Sequence, residues 1–251
     1  MKSPAATVPV LAPHTPLTDF YEQPGDRAAY VNRLFDNSAQ YYDWISAVLS
    51  FGTDKFYRRM TLRKAGLQPG MRLLDVATGT GLVAQAALKF GIRAEDLIGL
   101  DPSRGMLQQN QRAQSIPLVQ SRGEKLPFAE RTFDFVVMGY ALRHVESLLE
   151  LFTEFRRVLR PGGKALILEI SRPDSKIGFA LLRSYMQKFV PWLARCHTKN
   201  PDLGTLMKYY WATIAECVPP QTIVDALKAA GLREVQRMTC GPILNDYVGR
   251  N

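Results

Sequence analysis

Asp75 lies in a short apolar run, Leu73-Leu74-Asp75-Val76, after which the chain breaks into Ala77-Thr78-Gly79-Thr80-Gly81. A carboxylate beside a glycine turn puts hydrogen-bond acceptors next to backbone that a ligand can approach without meeting a Cβ. A second apolar run, Leu97-Ile98-Gly99-Leu100, ends in Asp101. An acid about twenty residues beyond such a turn accepts bonds from ribose hydroxyls. Between the runs, Leu82 to Phe90 is rich in Ala and Leu and reads as a helix. Strand, glycine turn, helix, strand and acid together describe a nucleoside site at the carboxyl edge of an open α/β sheet.

Two nucleosides fit the turn. Gly79-Thr80-Gly81-Leu82-Val83-Ala84 matches the dinucleotide fingerprint in form. Asp75 separates them, because a carboxylate repels a pyrophosphate and attracts the ammonium and sulfonium of S-adenosylmethionine. The chain also has no Tyr-x-x-x-Lys pair of the kind a short-chain dehydrogenase uses. S-adenosylmethionine is therefore the expected cofactor, held by Asp75, Thr78, Gly79, Gly81, Asp101 and Pro102, with Gly139 at a later strand end.

Those residues need a sheet to position them. Apolar runs at 72–76, 96–100, 117–120, 133–138 and 165–170 predict strands, and helical segments alternate with them. That alternation implies a mostly parallel sheet. Residues 26–65 predict two N-terminal helices, with breaks at Asn32 or Asp36 and over 50–54. Residues 174–212 interrupt the alternation and predict a helical cap, and 220–231 and 234–239 predict a last helix and strand. The proline-rich residues 1–25 read as a mobile tail. Residues 26–251 read as one domain, with the cofactor core over 70–173 and a C-terminal helix and strands over 213–251.

Composition fits one α/β core, since 46% of 251 residues are hydrophobic. Cys196, Cys217 and Cys240 are odd in number and without metal-ligand spacing, so a reduced, cytoplasmic protein with no metal is expected. Residues 1–18 have neither a signal nor a transit pattern. The net charge is +9, with basic clusters at Arg58, Arg59, Arg63, Lys64 and at Arg156, Arg157, Arg160, Lys164. Solvated helix faces account for them, and attraction to anionic lipid head groups is the functional alternative. No nucleic-acid module accompanies the charge, so no nucleic-acid partner is expected.

A longer pattern narrows the class. It runs through Glu124-Lys125-Leu126-Pro127-Phe128, Thr132-Phe133-Asp134, Gly139-Tyr140-Ala141-Leu142-Arg143-His144-Val145, Arg160-Pro161-Gly162-Gly163 and Leu168-Glu169-Ile170-Ser171-Arg172-Pro173. With Tyr41-Tyr42-Asp43 and Leu49-Ser50-Phe51-Gly52 upstream, and with 210–231 near the C-terminus, it resembles the class I methyltransferases of the UbiE/COQ5 family. These are the ubiquinone/menaquinone C-methyltransferases. The resemblance implies a Rossmann-like fold, with a mostly parallel seven-stranded sheet, helices on both faces and a helical cap. It implies that Met106 packs on the adenine and that Gly123 and Glu124 flank it. Arg122 departs from the pattern, standing where an Asn or Asp is usual.

Carbon methylation of a phenol-like ring needs a neighbouring hydroxyl deprotonated and its anion stabilised. The resemblance gives Arg143 the anion and Tyr42 a place over the site. His144 replaces the usual Asn, and a proton-accepting and a structural role are both open for it. Its expected titration is near neutral pH. Tyr140, Tyr185, Phe189 and Trp192 are the expected acceptor contacts, the last three on an apolar helix that Pro191 bends or ends. The expected partners are a small aromatic or polyprenyl-quinol substrate, a peripheral membrane contact and a second copy of the chain. Two rivals remain: an O- or N-methyltransferase of a soluble metabolite, and a non-catalytic cofactor-binding module.

Overall fold

The computed structural model describes residues 11–113, 115–197 and 202–251. Its strands are β1 (Leu73–Val76), β2 (Leu97–Asp101), β3 (Leu118–Gln120), β4 (Phe133–Gly139), β5 (Leu159–Ile170), β6 (Arg233–Cys240) and β7 (Leu244–Arg250). They form one sheet in the order β3-β2-β1-β4-β5-β7-β6. Strands β1 to β5 pair in parallel, and β7 pairs antiparallel to both β5 and β6. The strand order reverses between β1 and β4, so the crevice at their carboxyl ends is where a ligand fits.

The helices are α1 (Arg27–Ser38), α2 (Tyr42–Leu49), α3 (Asp54–Lys64), α4 (Leu82–Phe90), α5 (Arg104–Ala113) and α6 (Leu148–Val158). They are followed by α7 (Lys176–Ser184), α8 (Val190–His197), α9 (Asp202–Ala215) and α10 (Pro220–Ala229). All four residues of β1 are buried, as expected for a strand covered on both faces. Leu73, Phe135 and Val137 pack with α3 and α4, whereas Leu74, Val136 and Met138 pack with α6 and α10. Helix α6 presents Leu148, Leu151, Phe152, Phe155 and Val158 on one stripe, and Ser147 caps it by accepting from Glu150 N. A third apolar cluster joins α1, α2 and α9 to Met186 and Val190 of the cap.

Three helices, not two, fill residues 26–65. Asn32 and Asp36 stay inside α1, and the break comes at the 3-10 turn Ala39–Tyr41. Asp36 reads as a breaker, yet its carboxylate accepts from Ser103 Oγ (2.6 Å) and Gly105 N (2.8 Å) at the start of α5. The expected mobile tail is also corrected over its described part. Leu17 and Tyr21 are buried in the third cluster, Leu148 N donates to Leu11 O, and Val218 N donates to Pro13 O. Its prolines prevent a helix without preventing an ordered strap. The rest of that segment, residues 1–10, lies outside the described residues.

Candidate active site

A cleft of about 820 Å³, mouth included, opens at the carboxyl ends of β1, β2 and β4. Gly79, Asp101, Pro102, Met106, Gly123, Glu124 and Gly139 line it, all of them expected cofactor residues. Gly79 holds φ at +56°, and a Cβ built there meets nothing within 4 Å, so its backbone faces open space. Gly79 N and Ser103 N each donate to the Asp101 carboxylate at 2.8 Å and fix its orientation. Burial pushes the Asp101 carboxyl up to about 6; nearby Asp36 adds to this, and the two backbone bonds oppose it.

Asp75, Thr78 and Gly81 do not line the cleft. Asp75 is fully buried and accepts from Thr78 Oγ1 at 2.7 Å, while Thr78 takes a 3.2 Å bond from Asn110. The Thr78 side chain lies over Gly99, where an added Cβ would come within 3.0 Å of it. These residues brace the glycine turn from beneath. Gly81, at φ +87°, starts α4. The other wall of the cleft comes from α1, through Val31 and Phe35, and from Tyr42. Thr80 Oγ1 donates to Asp43 and ties α2 to the turn.

The set fits S-adenosylmethionine. Asp101 offers the ribose a buried, oriented carboxylate, Pro102 and Met106 offer the adenine an apolar wall, and Gly79 gives close backbone approach. Arg122, out of pattern in the sequence, lines the same cleft and pairs with Glu146 at 2.7 Å.

A larger cavity of about 1120 Å³ lies beyond Tyr42 and Tyr140, which line both spaces. Its wall is mostly apolar, with Ile45, Leu49, Leu182, Met186, Ile214 and Ile243. Tyr140 has φ +61°, a strained conformation for a residue with a Cβ, held by its N–H donating to Leu168 O at 2.7 Å. Burial raises the Tyr42 hydroxyl above the usual phenol range, so it stays protonated at neutral pH.

Arg143 also lines the larger cavity, and its Nε donates to Glu169 Oε1 at 2.8 Å. Nη1 donates to Thr213 Oγ1 at 2.8 Å. Burial acts to lower this guanidinium, but Glu169 outweighs it and keeps the charge in place. His144 lines the cofactor cleft and not the larger cavity. Its ring stacks on Tyr209 and Tyr210 and meets the Phe35 edge at 5.1 Å. Burial and the neighbouring Arg143 and Arg27 hold its pKa well below 6.5, which corrects the expected near-neutral titration.

Of the three cap residues, Tyr185 lines the larger cavity and donates to Val48 O at 2.7 Å. Phe189 and Trp192 do not line it; both are exposed, 46% and 58%. A π-turn over Tyr185–Phe189, just before Pro191, adds a residue to the helical phase. Met186 and Val190 therefore face inward and Phe189 outward. The sequence pattern missed Asp54 and Arg58, the one falling in the break over 50–54 and the other in a basic cluster ascribed to a solvated face. Both line the larger cavity, as a buried ion pair at 2.7 Å. Their i,i+4 spacing was the available signal.

The sequence profile of the ubiE/COQ5 methyltransferase family matches residues 24–245. The chain belongs to that family. It is 34% identical over 207 residues to a demethylmenaquinone methyltransferase of Mycobacterium sp. strain KMS, covering 82% of this chain and 86% of that one. Another from Beutenbergia cavernae is 36% identical over 170 residues, 67% of this chain and 70% of that one. Among solved structures, a SAM-dependent methyltransferase from Aquifex aeolicus matches with a TM-score of 0.58 at 17% identity. That match covers 82% of this chain and 97% of that one. Phosphoethanolamine N-methyltransferase 2 of Haemonchus contortus, in complex with S-adenosyl-L-methionine, gives 0.61 at 18%, over 90% of this chain and 58% of that one. The protein is an S-adenosyl-L-methionine-dependent methyltransferase with the Rossmann-like fold of its class. Among the described residues, no helix is long and apolar enough to cross a membrane.

Proposed function

We propose that this methyltransferase methylates a ring carbon of a quinol-type aromatic carrying an apolar tail. The observation that carries this is the wall shared by the two spaces, Tyr42 and Tyr140. A flat ring between them reaches the cofactor on one side and leaves its tail among Ile45, Leu182 and Ile214 on the other. The relatives named as demethylmenaquinone methyltransferases support an acceptor of that kind.

When bound, S-adenosylmethionine supplies an electrophilic methyl carbon. The chain's own task is to place the ring and hold its oxyanion. Tyr140 stacks on the ring, Arg143 stabilises the developing anion from the cavity wall, and protonated Tyr42 donates to a ring oxygen. Neutral His144 packs Tyr209 and Tyr210 and is too weak a base to keep a proton.

The tail leaves the cavity toward a lipid surface. Rings of Phe51 and Tyr185 (5.3 Å), Tyr185 and Phe189 (5.5 Å), and Phe189 and Trp192 (5.9 Å) form a continuous path from the cavity outward. Ile177, Leu181 and Phe56 are exposed on the adjoining helices α7 and α3. Lys176, Arg183 and Lys188 lie among them, a composition suited to anionic head groups. The experiment for the whole reading is incubation with labelled methyl donor and a short-tailed demethylquinol, followed by assignment of the methylated atom. Turnover restricted to small charged amines would refute it.

A further inference from the structure

We propose that Arg58, held by Asp54, is a second cation for the acceptor's ring oxygen, placed at the junction of the two spaces. This rests on the larger cavity being the acceptor's.

Arg58 lies on α3 with a side chain only 4% exposed, and both it and Asp54 line the larger cavity. Its Cζ stands 4.7 Å from the centre of the Tyr140 ring. A Cβ built on Gly139 would come within 2.8 Å of its Nη1. Gly139 lines the cofactor cleft, so this guanidinium sits where the two spaces meet. Absence of a Cβ at 139 is what admits it.

The hydrogen bonds point the same way. Arg58 spends Nε on Asp54 Oδ1 at 2.7 Å, and neither Nη donates to an acceptor among the described residues. Arg143 by contrast spends both Nε and Nη1 on Glu169 and Thr213. Neither Nη is sealed off: both open onto the cavity, where an acceptor oxygen can take the place of solvent. The planar Arg58 fork suits an oxyanion.

An apolar cavity alone works against this chemistry, because burial raises a phenol's pKa. Some cation must reverse that if the ring is to become a nucleophile. The acceptor's O–H proton passes to water, leaving an oxyanion beside the Arg58 fork. An electron pair from the adjacent ring carbon then forms the new C–CH3 bond as the S–CH3 bond breaks. The C–H proton leaves that carbon and the oxygen regains one, so the net release is a single proton. Burial acts to lower the Arg58 guanidinium, while Asp54, Tyr140 and Tyr42 raise it further, so it stays charged. Asp54, Tyr42, Tyr57, Tyr140, Tyr185, Tyr210 and Arg143 are the other titratable and charged groups lining this cavity, and Asp75 of β1 also interacts with the Arg58 charge.

The test uses 4-nitrophenol, whose anion absorbs visible light, titrated with the full chain and S-adenosylhomocysteine across pH. Wild type should lower the bound probe's pKa. Arg58→Gln should restore at least one unit of it, about a tenfold change in ionisation constant. Arg58→Lys should keep part of the effect. Calorimetry of S-adenosylhomocysteine checks that each variant is folded. If Arg58→Gln loses cofactor binding, Asp54→Asn with Arg58→Gln removes both charges together and is read instead. An equal pKa shift in wild type and the variant overturns the proposal while leaving the acceptor cavity standing. Failure of wild type to bind the probe at all overturns the cavity's assignment, and this proposal with it.

Discussion

Tyr42 and Tyr140 come from elements far apart in sequence, the start of α2 and the end of β4, yet each lines both the cofactor cleft and the larger cavity. Whatever passes a methyl group from one space to the other does so past these two rings. Tyr140→Ala should therefore raise the acceptor KM at least about tenfold, a loss near 1.4 kcal/mol consistent with one aromatic contact. Cofactor affinity should change little, because Asp101 and Gly79 are untouched. Tyr140→Phe, which keeps the ring, should retain most activity. Steady-state kinetics of the two variants, with calorimetry of the cofactor, check this.

Asp101 sets a pH dependence for cofactor binding. Its folded carboxyl titrates at about 6, raised mainly by burial. The ionised form accepts the ribose bonds, so affinity should be full well above that value and fall as pH drops through it. Asp101→Ala should cost on the order of 1.5–3 kcal/mol per charge-assisted bond at neutral pH and remove the part of the pH dependence near 6, leaving any part from Asp75, whose carboxyl burial pushes up to about 7. Isothermal calorimetry with S-adenosylhomocysteine on both sides of the transition decides the matter.

His144 should not shape the rate–pH profile near neutrality. Its pKa is held well below 6.5 by burial and by Arg143, so it is neutral throughout the working range. In His144→Asn, kcat should fall several-fold as Tyr209 and Tyr210 lose a stacked ring, while the profile between about pH 6 and 9 keeps its shape. A shifted acidic limb in this variant would instead make His144 the proton acceptor.

The exposed rings should matter only for acceptors that live in a bilayer. Phe189→Ser with Trp192→Ser should reduce binding to vesicles containing anionic lipid, and lower turnover of a long-tailed acceptor presented in them. Turnover of a short-tailed acceptor in solution should stay near wild type, because neither ring lines the cavity. Equal loss with both acceptors would mean that the pair supports the cap's fold.

The cofactor half of the site was legible because its signal is local. The turn Gly79 to Gly81 and the acid Asp101 follow from strand, loop and helix along one stretch of chain. The place of Asp75 beneath the turn, bonded to Thr78, is not legible, because whether a side chain at a strand end faces the ligand or the loop beneath depends on the pleat. Strand β7 is hidden in the sequence because Asn245 and Asp246 make it look polar. Asp246 is in fact buried, accepting from Tyr57 (2.9 Å) and Thr61 (3.2 Å) of α3. The outward turn of Phe189 and Trp192 depends on one π-turn, which periodicity at 3.6 residues cannot express. Arg58 looked like one more surface cation until α3 packed it against Tyr140.

The proposed reaction transfers a methyl group to a ring carbon of an apolar-tailed quinol. The most direct measurement uses 13C-methyl-labelled S-adenosylmethionine, the full chain and a reduced short-tailed demethylquinol, with carbon NMR of the extracted product. A single new signal in the aryl-methyl region is expected, and it should be lost when Arg143→Lys or Arg58→Gln replaces the wild type. A signal in the methoxy or N-methyl region, or labelled product only from polar amines, would contradict the proposed reaction.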